Sequence, residues 1–203
     1  MQAIRHAVDE WKADMIVMAF GFEKEQDSAI EEHSILRSIK NAANKGVAMF
    51  AAASNDGLNR PDNTPWPARA MDVICVHSAD GYGRPSIFTP GPTDNQRVMV
   101  LGECVRSAWP EKLRCGDHKV MGGTSCAAPI AAGIAAVILD YAKQFLTTEE
   151  WYKLRRVEYM RRMFELMKAP GETGGYWWIR HWVLFDKSEE EIFIQRIIRK
   201  AII

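Results

Sequence analysis

Residues 15–53 read MIVMAFGFEKEQDSAIEEHSILRSIKNAANKGVAMFAAA, and this stretch decides the fold class. It opens on an apolar run, Met15 to Phe20, of strand length and without polar alternation. Gly21 ends the run. Ser28 stands as an N-cap with Glu31 three residues on, as in a capping box, and the helix that follows turns Ile35, Ile39, Ala42 and Ala43 inward. Gly46 stops that helix, and a second apolar run covers Val47 to Ala53. Upstream, Ile4, Ala7, Val8 and Trp11 share one helical face. Helix, strand, helix, strand predicts parallel pairing through right-handed crossovers. Strands in such a sheet are covered on both faces, which accounts for runs that never alternate. The expected class is α/β, with a largely parallel sheet between helices.

Working outward, a loop rich in Asn, Asp and Pro spans 54–71, and further strand-like pieces lie at Val73 to Val76 and Val98 to Leu101. An Ala-rich helix is expected from about Ala127 to Phe145. The composition shifts near Thr147. From there on, eleven Lys and Arg and nine Asp and Glu accompany four of the seven tryptophans. Thr148-Glu149-Glu150 is positioned to cap a helix reaching Lys168, Trp177 and Trp178 form a short aromatic strand, and Ser188 to Glu191 starts a last helix. This segment, 146–203, reads as a helical, aromatic-rich extension apart from the α/β pattern. Its tryptophans suit a core packed over the end of the domain, and Arg155-Arg156 with Arg161-Arg162 suit a solvated face rather than a binding surface.

The chain has 203 residues, 47% of them hydrophobic, with 26 Lys and Arg balancing 26 Asp and Glu. That supports a packed core and argues against disorder, nucleic-acid binding and a polybasic membrane surface. No apolar run reaches the ~18 residues of a membrane span, and the N-terminal MQAIRHAVDEW lacks the apolar block of a signal peptide, which favours a cytoplasmic setting. Cys75, Cys104, Cys115 and Cys126 form no CxxC pair and read as small buried side chains, with a Cys104–Cys115 disulfide open if the protein is secreted. No dense acidic loop suggests calcium, and no cofactor is expected.

Chemistry concentrates at Gly122-Gly123-Thr124-Ser125-Cys126-Ala127-Ala128-Pro129-Ile130-Ala131-Ala132-Gly133. Glycines before a Ser permit a tight turn that presents its hydroxyl at a helix N-terminus, where free N–H groups and the helix dipole favour a developing anion. By spacing alone, a plain Thr/Ser cap on a buried Ala-rich helix stands equally well.

The stretch resembles the GTSxAxPxxAG signature around the catalytic serine of the subtilisin-like serine proteases, the subtilases, at Gly123, Thr124, Ser125, Ala127, Pro129, Ala132 and Gly133, with Ile130 where the family usually has His. Ala51 to Gly57 resembles the family's AAAGNxG segment, with Ser54 in place of the usual Gly. The resemblance covers about residues 2–145. It implies Ser125 as nucleophile, Asn55 as the side chain that donates to the oxyanion, and Ala19, Phe20 and Gly21 as a substrate strand pairing with an extended peptide. It also implies an Asp and a His, and neither is evident. His6, His33, His77, His118 and His181 all lack the family's HGTH-like context and read as packing or surface residues. The expectation is therefore the C-terminal portion of a subtilase catalytic domain, residues 1–145, acting as a serine endopeptidase on polypeptides once a missing N-terminal part supplies Asp and His. A catalytically dead, protease-derived binding or regulatory module is the alternative. Without those strands, an open sheet edge and a half-covered core are expected.

Overall fold

The computed structural model describes residues 2–22, 29–57, 64–110, 117–171, 173–185 and 191–203. Its central sheet holds β1 (Met15–Met18), β2 (Ala48–Ala52), β3 (Ile74–Ala79), β4 (Val98–Leu101) and β7 (Trp177–Trp178), in that order, and every ladder is parallel. The apolar runs became strands for the expected reason. In β2 all five residues are buried: Ala48, Phe50 and Ala52 point to one face, and Met49 and Ala51 to the other.

Helices α1 (Gln2–Asp9) and α2 (Ala29–Asn44) cover the second face, where Ile4, Val8 and Ile39 meet Met49, Ala51 and Cys75. The capping box expected at Ser28 and Glu31 lies outside the described side chains. Helix α3 (Thr124–Ala142) covers the first face. Its alanines at 127, 128, 131 and 135 are fully buried and let the helix axis approach the sheet closely.

Residues 146–203 supply α4 (Thr148–Arg155), α5 (Val157–Leu166), α6 (Trp182–Phe185) and α7 (Glu191–Ala201). They share the domain's core rather than standing apart from it. Leu154, Met160, Met163, Phe164 and Ile198 pack in one cluster with Phe50 and Ile138, and β7 extends the sheet beyond β4. The capping residue is Thr147, one position earlier than expected: it accepts from the Glu150 N–H, and its own N–H donates to the Glu150 carboxylate. The single helix expected to reach Lys168 breaks at Arg156, whose ψ of 145° is extended. The break leaves Arg155 buried against Trp151 and Tyr152, with its guanidinium on Asp14 at 2.8 Å, and turns α5's apolar face onto the sheet.

The hairpin of β5 (Val105–Ala108) and β6 (His118–Met121), antiparallel and exposed along nearly all its length, has no counterpart among the expected elements. Strands exposed on both sides carry no apolar pattern. Two further expectations need correction. Cys104 is exposed rather than buried, while its proposed partner Cys115 lies outside the described residues. And α3, at 19 residues with mean hydropathy 1.6, is long and apolar enough by composition to cross a membrane, although half of it is buried against this sheet.

His77 sits fully buried on β3, its Nε2 3.1 Å from the Gln96 carbonyl and its Nδ1 3.3 Å from the Thr89 hydroxyl. A neutral ring protonated on Nε2 satisfies both contacts. Burial is the chief influence on its pKa, which falls to about 4. The unfolded chain, with a His pKa of about 6.5, then binds more protons between those values, so stability is lost as pH falls through that window, by about 3 kcal/mol in all. Urea unfolding at pH 7 and pH 4 should show His77→Gln losing correspondingly less stability than the wild type. Equal losses in both proteins would assign the acid sensitivity to other groups.

Candidate active site

The C-terminal ends of β1 and β2 and the N-terminus of α3 converge on Ser125. The residue lies in the first turn of α3, exposed, with its Oγ donating a long 3.5 Å bond to the Ala19 carbonyl. Gly123 stands at the N-cap with φ of 151°, a conformation that strains any side chain, and a Cβ there would press on the Asn55 amide at 3.3 Å. A glycine is required at this point for both reasons.

Asn55 follows β2 and faces the same helix end. Its Oδ1 accepts from the Thr124 N–H at 2.9 Å and lies 3.1 Å from the Thr124 hydroxyl. Because the backbone N–H can only donate, the atom facing it must be the carbonyl oxygen, and Nδ2 has no acceptor among the described residues. The N–H of Ser125 itself has no intrahelical acceptor, being one of the orphan donors of the first turn. Asn55 thus lies against the first turn of α3, bonded to Thr124, the neighbour of Ser125. Thr124 is fully buried, and its hydroxyl is also 3.1 Å from the Ser54 carbonyl. Thr124 stands within the motif, but nothing in a linear pattern says which residue orients an amide.

Ser54, in the position where the resembling segment has Gly, adopts φ of 121°. Its hydroxyl donates to the Asp56 carboxylate at 2.7 Å and accepts from the Asp56 N–H at 3.2 Å, so a local turn offsets the strain of a positive φ. The loop therefore keeps a glycine-like path without glycine.

Ala19, Phe20 and Gly21 extend beyond β1 along the exposed sheet edge, with Ala19 the residue that meets Ser125. Gly21 has no side chain because a Cβ would lie 2.6 Å from the Pro65 ring, and the next residue, Phe22, donates its N–H to the Trp66 carbonyl at 2.8 Å.

No histidine with a described side chain is bonded to Ser125. His6 stacks edge-on with Trp11, His77 is consumed in the core, His118 pairs with Asp117 at 2.9 Å, and His181 stacks on Trp182. The side chain of His33 lies outside the described residues. Among the described residues the site offers an exposed serine hydroxyl at a helix N-terminus, with no histidine bonded to it.

Comparison with known proteins identifies the family and the fold. The family model described as the subtilase family matches residues 1–169. The major intracellular serine protease of Bacillus subtilis is 30% identical over 146 residues, which is 71% of this chain and 42% of that protein. Subtilisin-like protease 5 of Arthroderma gypseum is 29% identical over 137 residues, 68% of this chain and 32% of its own length. This chain therefore spans less than half the length of these relatives. Among solved structures, the prenylagaramide maturation protease PagA superposes with a TM-score of 0.71 at 19% identity, covering 100% of this chain and 66% of its own. The self-cleaved protease domain of PatA gives 0.73 at 20% identity, over 98% and 66%. At such identities these structures establish the shared fold.

Proposed function

This chain belongs to the subtilase family, and on that footing we propose that it forms the nucleophile and oxyanion portion of a serine endopeptidase. Ser125 Oγ attacks the carbonyl carbon of a peptide bond while a histidine from outside residues 1–203 takes its proton. The carbonyl π electrons move onto oxygen, and that oxyanion lies between the Ser125 N–H and Asn55 Nδ2. Collapse expels the amine, which takes the proton back from the histidine, and water then hydrolyses the acyl-Ser125 ester. The substrate is a polypeptide aligned along Ala19, Phe20 and Gly21.

One observation carries the reading. The Thr124–Asn55 bonds tie the amide of Asn55 to the helix start that carries the exposed Ser125 hydroxyl, which supports a donor role for Asn55 Nδ2. In a longer polypeptide that also carries the family Asp and His, Ser125→Ala should abolish peptide hydrolysis. Asn55→Ala should lower kcat by about a hundred- to a thousandfold, the loss known for removal of this donor in subtilisin, and leave KM nearly unchanged. A raised KM with kcat intact would make Asn55 a loop-shaping residue instead.

The second reading, a catalytically inert binding or regulatory module, is favoured by the absence of any histidine bonded to Ser125 among the described side chains. Fluorophosphonate labelling of that longer polypeptide separates the two: modification at Ser125 supports the endopeptidase, and an unlabelled serine the inert module.

A further inference from the structure

Asp14 and Arg155 come from distant parts of the chain and meet at the foot of β1. Arg155 closes α4 and is 5% exposed, and its Nη1 lies 2.8 Å from the Asp14 carboxylate. Among the described residues no second carboxylate pairs with that guanidinium, and its buried Nε has no hydrogen-bond partner. The rings of Trp151 and Tyr152, with centroids 4.9 and 5.3 Å away, hold the guanidinium in place. A charge buried this deeply needs its counter-ion beside it. Asp14 keeps 56% of its side chain in solvent, so the arginine rather than burial fixes where it sits. Its carbonyl accepts from the Ala48 N–H at 3.0 Å, which places the gripped residue at the first rung between β1 and β2.

β1 needs such a fixed point. Its register pairs Met15 with Ala48 and Met18 with Ala51. A strand that alternates polar and apolar residues carries its register in that pattern, because a one-residue slip turns the wrong set inward. Met15 to Phe20 is apolar throughout, so a slip here trades one apolar residue for another. Of the four strand residues only Met18 is buried, and among the described residues β1 pairs with β2 alone. The link from α1 passes through Lys12 at φ of 51°, a left-handed conformation that a lysine keeps only when its surroundings impose it. A slip of one residue would carry Ala19 along by about 3.3 Å and break the 3.5 Å contact of its carbonyl with Ser125 Oγ.

We propose that Arg155 clamps the register of β1: by gripping Asp14 it selects the pairing that sets the Ala19 carbonyl against Ser125. Arg155 is thus a positioning residue, acting through a strand whose foot lies about 17 Å from Ala19. Its use in aligning a peptide rests on the endopeptidase reading; the clamp itself does not.

The test reads register and stability separately in the full 203-residue chain. Nuclear Overhauser contacts joining Met15 to Ala48 and Met18 to Ala51 report the register, and amide exchange reports the hold on each strand. Asp14→Asn should lose those contacts and speed exchange in β1 about tenfold more than in β3. Because it leaves Arg155 unpaired in the core, that variant should also melt earlier. Asp14→Asn combined with Arg155→Met removes the buried charge as well, so it should melt within about 3 °C of the wild type and still lack the register. Asp14→Glu, which keeps the carboxylate, should retain it.

Wild-type register in the double variant, or exchange that rises equally in β1 and β3, would overturn the clamp and leave the pair a general stability element. In the longer polypeptide carrying the family Asp and His, the double variant should raise KM for a peptide about tenfold with kcat nearly unchanged, since only the fraction in the right register binds. Lost register with KM unchanged would overturn the positioning role. Lost register in the 203-residue double variant, with Ser125 unlabelled by fluorophosphonate even in the wild-type longer polypeptide, keeps the clamp and removes the endopeptidase reading.

Discussion

Purified alone, residues 1–203 should cleave casein no faster than buffer. A serine hydroxyl is a weak nucleophile at neutral pH and acquires reactivity from a base that takes its proton. In subtilisin, loss of the triad histidine costs about a millionfold in kcat even though the oxyanion hole survives. Here the side chains of His6, His77, His118 and His181 are committed to contacts away from Ser125, and its hydroxyl turns to the Ala19 carbonyl instead. The measurement is release of acid-soluble peptide over a day, with Ser125→Ala as the paired control. Casein cleavage by the wild-type chain that disappears in Ser125→Ala would locate a base inside this sequence. His33, whose side chain lies outside the described residues, would then be the first to substitute.

The second large effect concerns the extension. A chain ending at Phe145 should show no cooperative thermal transition by far-UV circular dichroism. It would lose Leu154, Met160, Met163, Phe164 and Ile198, which pack against Phe50 and Ile138 at the centre of the larger core. Burying each such side chain is worth about 1.5–3 kcal/mol, so five of them match a domain's whole margin of about 5–15 kcal/mol. Polar ties go with them. The Trp151 indole donates to the Leu139 carbonyl at 2.8 Å, and the Arg161 guanidinium donates to the Met71 and Val73 carbonyls at 3.1 and 3.3 Å. A truncated chain melting within a few degrees of the full one would show that these contacts are decorative.

What could be read from the sequence follows from where each signal resides. The strands at Val47 and Val98 were legible because burial on both faces leaves uninterrupted apolar runs, and the one at Met15 is equally apolar although only Met18 is buried in it. The motif around Ser125 was legible because a hydroxyl at a helix start needs glycines before it and small residues after it. The Thr124–Asn55 lock was not, since it joins residues 69 positions apart through one amide orientation. The break at Arg156 was hidden because neither Gly nor Pro causes it; the tertiary contacts of Arg155 with Asp14, Trp151 and Tyr152 accompany it. The parallel pairing of β7 with β4 escaped because a two-residue strand has no periodicity to detect.

The lock between Thr124 and Asn55 also separates two requirements of catalysis that usually arrive together. Dipoles that stabilise an anion must be held before the charge appears, or reorganising them consumes the benefit. On the endopeptidase reading, folding alone completes that ordering, because Asn55 after β2 is tied to Thr124 at the start of α3 without help from the proton acceptor. A late-arriving histidine would then need only to reach Ser125, and the chemical step could begin without any rearrangement of the cradle. Amide exchange at Thr124 would register this rigidity directly, slow and indifferent to whether a base is present.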